Sequence, residues 1–272
     1  MEMETITTAP DTSGILVLGE LIIEGHDGTN PLYCTGLVPT ASSADPTVYL
    51  AAGDVPTDDI YNGGHLSIYK GTNKEVSQTI SDSVAASDTV ELAASVSTTT
   101  NDYYIVVGNA GLSHASGVNW DLSPSLGNIT FLGLKLINIR VATFPAVAKI
   151  TNCYWTTAAN GAVGPGTLGA TGISSIFITY SHLVSTGTNN TIAAYGAQHI
   201  LLYWSMTSGG YGILCNANAD LTAYASHLSH SGNVAVNVSV GGLVYNNGAT
   251  CTSVGTVTET AASFGWTDFV TA

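Results

Sequence analysis

Ile129, Ile150, Ile176, Ile200, Leu221 and Leu243 each open a short β-rich run, at spacings of 21, 26, 24, 21 and 22 residues. The runs read ITFLGL, ITNCYW, IFITYS, ILLYWS, LTAYAS and LVYNNG. Gly-, Asn- and Ser-rich stretches separate them: Gly161 to Gly172, Thr186 to Asn190, Ser208 to Gly212 and Gly241-Gly242. A period of about 20–30 residues with β-branched runs and turn residues is the pattern of a repeat architecture. One repeat cannot bury its own apolar face, whereas stacked repeats bury a continuous column. The recurrence therefore predicts an all-β chain built as a parallel solenoid.

Composition narrows the range of functions. The chain has 19 acids against 5 bases, a formal net charge of −14. Nucleic-acid affinity comes largely from Lys and Arg, and anionic membrane surfaces attract the same residues, so neither partner is expected. The bases are Lys70, Lys74, Lys135, Arg140 and Lys149. Beyond Lys149 only Asp220, Glu259 and Asp268 carry charge. Cys34, Cys153, Cys215 and Cys251 show no paired spacing and read as buried free thiols of a reducing compartment. The start, Met1-Glu2-Met3-Glu4, lacks the basic and apolar regions of a secretory signal.

Four segments are expected. Residues 1–44 read as an N-terminal arm and assembly segment, with Ile15 to Ile23 as a strand that either pairs with a neighbouring sheet edge or caps its own array. Residues 45–112 are β-rich and turn-rich, either a small antiparallel domain or irregular first coils. Within them Asp45 to Ala52 is similar to Ser87 to Ala94. Residues 113–254 form the regular array, and residues 255–272, with Phe264, Trp266 and Phe269, form a C-terminal cap.

Strand alternation assigns the faces. The anchors stack in one inward column. The residues two on (Phe131, Asn152, Ile178, Leu202, Ala223, Tyr245) and four on (Gly133, Tyr154, Tyr180, Trp204, Ala225, Asn247) share that face. The odd columns, with Ser181, Ser205 and Ser226 at one offset, fall on the outward face.

The run Gly127-Asn128-Ile129-Thr130-Phe131-Leu132-Gly133-Leu134 resembles the opening of coils in the pectin-lyase-like right-handed parallel β-helix superfamily. The resemblance spans roughly residues 85 to 255. It implies a right-handed parallel β-helix with a β-rich N-terminal region. Members of that superfamily include polysaccharide lyases, hydrolases, adhesins and virion proteins of tailed phages, and this chain looks most similar to the virion group.

That similarity implies a non-enzymatic structural protein of a virion, such as a phage head-decoration, fibre or tail-associated component. It would be assembled in the host cytoplasm, as a homotrimer joined to other virion proteins, with surface glycans as a further partner. Two alternatives stand beside it: a carbohydrate-binding or depolymerising receptor-binding protein of the tailspike type, and a cell-surface adhesin or filament subunit.

The residues themselves offer little catalysis. Glycoside hydrolysis needs two carboxylates about 5–9.5 Å apart. The array from Ile129 to Gly255 holds one acid, Asp220. β-Elimination needs a base and a cation; only Asp121, Lys135, Arg140 and Lys149 lie near one another in sequence. His182 and His227 share an offset but sit two repeats apart, about 10 Å, too far for one metal. His227 and His230 would face opposite ways, so these histidines read as polar surface or turn residues. No G-x-S-x-G elbow is present, and Ser-His-Asp chemistry depends on geometry that a sequence does not carry. No catalytic, metal or cofactor site is expected. Tyr154, Trp155, Tyr180, Tyr203, Trp204 and Tyr224 cluster across neighbouring repeats; most are expected in the core, and any on outward columns would suit stacking on sugar rings.

Overall fold

A computed structural model describes residues 4–5, 17–121, 126–143, 147–157, 174–195, 198–216, 219–230, 234–238, 243–247, 249–251, 256–259 and 266–267. The described chain is all-β, with one 3-10 turn at Ala85–Ser87. Its strands form two open parallel sheets and one antiparallel sheet.

From Gly111 to His230 the strands alternate between the two parallel sheets. In one, which we call the corner-facing sheet, Gly111–Asp121, Lys135–Thr143, Tyr154–Thr157, His182–Tyr195, Met206–Asn216, His227–His230 and Thr250–Cys251 lie side by side. In the other, the anchor sheet, the order is Val17–Glu24, Leu126–Leu132, Val147–Thr151, Ser174–Thr179, Gln198–Tyr203, Asp220–Tyr224, Leu243–Asn247 and Trp266–Thr267. Through Met206–Asn216 each of these strands therefore pairs with the strand two places on.

The two sheets enclose a single apolar core. Ile129, Ile176, Ile200 and Leu221 stack in one inward column, fully buried, as the repeat predicts. The register corrects two members. Ala148, not Ile150, lies between Ile129 and Ile176, and Ile150 stacks between Phe131 and Ile178. Leu243 pairs with Asp220, and Val244 takes the place beside Leu221. Alternation makes the first slip invisible in sequence, because positions 148 and 150 face the same way and both are apolar. The corner-facing sheet contributes Leu136, Trp155, Leu183, Thr207 and Leu228, in register on adjacent strands and all buried.

A single residue makes the corner between the sheets. Gly133, Asn152, Tyr180, Trp204 and Ala225 occupy equivalent places with φ of 63°, 51°, 45°, 43° and 45°. These left-handed residues re-aim the chain, so the alternation assumed from sequence breaks here. Tyr180 and Trp204 therefore leave the inward face assigned to them and turn outward, half-buried. The next residues, Leu134, Cys153, Ser181, Ser205 and Ser226, turn inward and are buried. The serines expected outside thus line the interior of the corner.

That burial is made affordable by a ladder of hydrogen bonds. The backbone N–H of Cys153 donates to Ser181 Oγ at 3.0 Å, that of Ser181 to Ser205 Oγ at 3.1 Å, and that of Ser205 to Ser226 Oγ at 3.2 Å. Each hydroxyl in turn donates to carbonyls of its own or the neighbouring strand, as Ser181 does to Thr179 O at 2.9 Å. The three inward hydroxyls at this corner thereby find partners.

Two stretches read as turns lie inside strands. Thr186 to Asn190 belongs to His182–Tyr195 and Ser208 to Gly212 to Met206–Asn216. The register shifts between Ser185 and Asn190, so the chain bends without leaving the sheet. Gly209 makes the bend with φ of 119°, and a Cβ there would lie 1.9 Å from Ser185 O. The stretches 161–172 and 241–242 lie outside the described residues.

The N-terminal half divides differently from the expected boundaries. Val17–Glu24 is the edge strand of the anchor sheet, paired with Leu126–Leu132, and Leu21 and Ile23 pack on the core. Of the two alternatives for this strand it takes the one that caps its own array, so residues 1–44 are not one free arm. Tyr33–Leu37, Ser42–Tyr49, His65–Lys70, Ser77–Val84, Thr89–Thr98 and Tyr103–Val107 form the antiparallel sheet. Residues 45–112 thus contain most of an antiparallel unit that begins before residue 45. Its two similar segments are neighbours: Val48 pairs with Val90 and Tyr49 with Thr89. The unit has its own core of Val48, Leu66, Ile68, Ile80, Val90, Leu92, Tyr104 and Val106. At the far end, Thr256–Glu259 and Trp266–Thr267 extend parallel pairing; the rest of the expected cap lies outside the described residues.

Candidate functional site: an aromatic cleft beside a docked antiparallel unit

The antiparallel unit sits on the outward side of the corner-facing sheet. One column of that sheet, Lys135, Tyr154, His182, Met206 and His227, supplies a residue from each of five adjacent strands. Lys135 Nζ donates to Gly63 O at 2.6 Å. His65 stacks on Tyr154 with centroids 3.7 Å apart. His182 is bonded at both ring nitrogens, Nδ1 to Ser67 Oγ at 2.6 Å and Nε2 to Ser208 Oγ at 2.7 Å. Met206 packs with Tyr69, Ile105 and Val107. His227 Nε2 meets Glu75 Oε1 at 3.2 Å.

His182 and His227 are buried, contrary to the surface role expected of them. They share one column two strand steps apart, with Met206 between, and serve to dock the unit. Burial, then the charges of His182 and Lys135, hold the His65 imidazole well below the usual histidine range. Burial likewise lowers His227, with Glu75 opposing it. Burial also lowers Lys135.

Where this docking face meets the corner, a cleft of about 400 Å³ opens. One wall is the antiparallel unit: Thr35, Gly36 and Leu37 on one strand, Tyr103 on the next, and Tyr69 and Lys70 on the strand beyond it. The other wall is the pair of left-handed corner residues Tyr180 and Trp204. Their rings stack at 5.3 Å with planes 11° apart. Tyr224 meets Trp204 edge-on at 5.8 Å, and Tyr203 lies 5.6 Å from Tyr224, so the aromatic row continues along the corner. Tyr69 meets Tyr180 edge-on at 6.2 Å across the cleft. Lys70 Nζ stands 4.9 Å from the Tyr103 ring centroid.

The wall strands are held by one buried carboxylate. Asp102 accepts the backbone N–H of Asn73 at 2.9 Å and of Thr99 at 2.7 Å, and the Asn73 side-chain amide at 2.7 Å. It thereby fixes the turn after Lys70 against the residue preceding Tyr103. Gly71 must be glycine here: its φ is 120°, and a Cβ would come within 2.3 Å of Asp102 Oδ1.

Of the six aromatics singled out in sequence, Trp155 is core, edge-on to Phe131. Tyr154 is covered by His65. Tyr180, Tyr203, Trp204 and Tyr224 form the surface row. Sequence reading missed Tyr69, Lys70 and Tyr103, because nothing local says that an antiparallel strand will meet the corner between the parallel sheets about 100 residues away.

The structure separates the residues considered for polysaccharide cleavage. Lys135 is on the corner-facing sheet beneath the antiparallel unit, whereas Lys149 is on the outward face of the anchor sheet. The side chains of Asp121, Arg140 and His230 lie outside the described residues. Asp220 Oδ2 is bonded to His199 Nδ1 on the adjacent strand. Ser175 precedes His199 in the same outward column, which gives a Ser-His-Asp order across three strands. No hydrogen bond joins Ser175 to His199, whose Nδ1 is taken by Asp220. Among the described residues no cluster of three or more His, Cys, Asp or Glu converges as metal ligands. Cys153 and Cys215 are buried free thiols, each pushed up to about 12 by burial.

Comparison of this chain with protein-family models, with curated proteins and with solved structures produced no match.

Proposed function

We propose that the two parallel sheets are the faces of a right-handed parallel β-helix, and that the chain is a non-enzymatic structural component of a virion. In this reading it is a phage head-decoration, fibre or tail-associated protein acting in assembly and surface presentation. The observation that carries the architecture is the alternation of strands between two parallel sheets from Gly111 to His230, with an inward column running from Leu21 to Val244. A stack of this kind grows in length without changing its cross-section, which suits a rigid spacer. The antiparallel unit docked along its side adds a second surface for contact. The resemblance of the Asn128-Ile129-Thr130-Phe131 opening to β-helix coils supports the class of protein.

Purification of particles from cells carrying the gene tests the role. The chain should be a stoichiometric component of the particle, and the isolated protein should sediment as a homotrimer. A monomer found solely in the soluble fraction, with none in particles, overturns the reading.

A second reading has its own support. The partly exposed aromatic cleft favours a carbohydrate-binding receptor-binding protein on the same scaffold. Binding without cleavage fits the separation of Lys135 from Lys149.

A further inference from the structure

We propose that the cleft between the antiparallel unit and the coil corner binds a saccharide ring that carries a carboxylate. The proposal rests on the second reading above and names its ligand class and its contact residues.

Three features point to a ring-shaped, partly polar ligand. The walls offer the partly exposed rings of Tyr103, Tyr180 and Trp204, with the buried Tyr69 behind them, and Trp204 is braced by Tyr224. Among the described residues, the hydroxyls of Tyr69, Tyr103 and Tyr180 and the indole N–H of Trp204 have no hydrogen-bond partner in the protein. Apolar ring faces combined with unspent donors match a pyranose, which has C–H faces and a rim of hydroxyls. The volume, about 400 Å³, falls in the usual range of small-molecule sites.

The charge decides the subclass. The chain has five basic residues, and Lys70 is the one that lines this cleft. Its ammonium is exposed and lies over Tyr103, where it is held near the rings without a carboxylate partner in the protein. A ligand carboxylate placed over the aromatic wall would pair with it. A quaternary ammonium, the other ligand that aromatic cages favour, would be repelled by Lys70. A polyanion would be repelled by the net charge of −14. The cleft therefore suits one acidic unit in an otherwise neutral glycan.

Isothermal titration of the full chain with a glucuronate-containing disaccharide and with its neutral glucose counterpart tests this. The acidic sugar should bind at least tenfold more tightly than the neutral one. Lys70→Gln should remove that preference, bringing the acidic sugar down to the affinity of the neutral one; Lys70 is exposed, so its loss leaves the core intact. Tyr103→Ala should weaken both sugars, with an unchanged far-UV spectrum. Equal binding of the two sugars, or a preference that survives Lys70→Gln, overturns the assignment while the carbohydrate reading stands. No binding of either sugar overturns both.

Discussion

Tyr180 and Trp204 stack face to face because each is the single left-handed residue at its corner, one strand step apart. The inter-strand step of about 4.8 Å sets their separation, and their rings settle at 5.3 Å with planes nearly parallel. A backbone conformation that bulky L-residues avoid is thus what builds the aromatic wall.

Ala225 holds the same conformation, with φ of 45°, and has no ring to contribute. Ala225→Gly should therefore relieve strain. The left-handed conformation costs an L-residue about 1–2 kcal/mol, and glycine's added freedom in the unfolded chain takes back about 0.4–1 kcal/mol. The expected gain is roughly 0.5–1 kcal/mol in urea unfolding. Destabilisation would mean that the corner at Ala225 is not left-handed.

Ser205 stands in the middle of the corner ladder, accepting from the Ser181 N–H and donating to Tyr203 O at 2.7 Å. Ser205→Ala leaves the Ser181 N–H buried without its acceptor, at a cost of about 1–3 kcal/mol. An outward serine, as alternation alone implies, would tolerate alanine within about 0.5 kcal/mol. Equilibrium unfolding of this one variant separates the two arrangements.

Acid should loosen the docking of the antiparallel unit. Burial lowers both His65 and His227 below the ordinary value of 6.5, so the unfolded chain binds more protons than the folded one just under that pH. Stability is then complete above pH 6.5 and falls as pH drops below it, by up to about 1.4 kcal/mol per pH unit for each histidine. Between pH 7.5 and 5.5 the unfolding free energy should fall by roughly 1–3 kcal/mol. His65→Gln should flatten that slope. Stability that is level or rising towards pH 5.5 would contradict the buried placement.

Much of this fold is written in the repeat. The anchors Ile129, Ile176, Ile200 and Leu221 stack as their spacing implies, since a β-branched run between turns has few other ways to hide its apolar face. The slip at Ile150 was not legible, because Ala148 and Ile150 lie on the same face and hydrophobicity does not choose between them. The inward turn of Ser181, Ser205 and Ser226 was not legible either. It depends on a left-handed φ at Tyr180, Trp204 and Ala225, and none of these is a glycine that would announce it. The cleft was half legible: the corner aromatics stand out in sequence, but Lys70 and Tyr103 reach them only through long-range docking. The bond between Ser67 and His182, 115 residues apart, shows the distance that local patterns do not span.

A crystal structure of the full chain tests the central claim most directly, because the claim is one of strand order and register. The account predicts parallel coils in which Leu21, Ile129, Ala148, Ile176, Ile200, Leu221 and Val244 occupy successive steps of one buried column, about 4.8 Å apart. Antiparallel pairing in residues 126–247, or Ile200 at the surface, would contradict it.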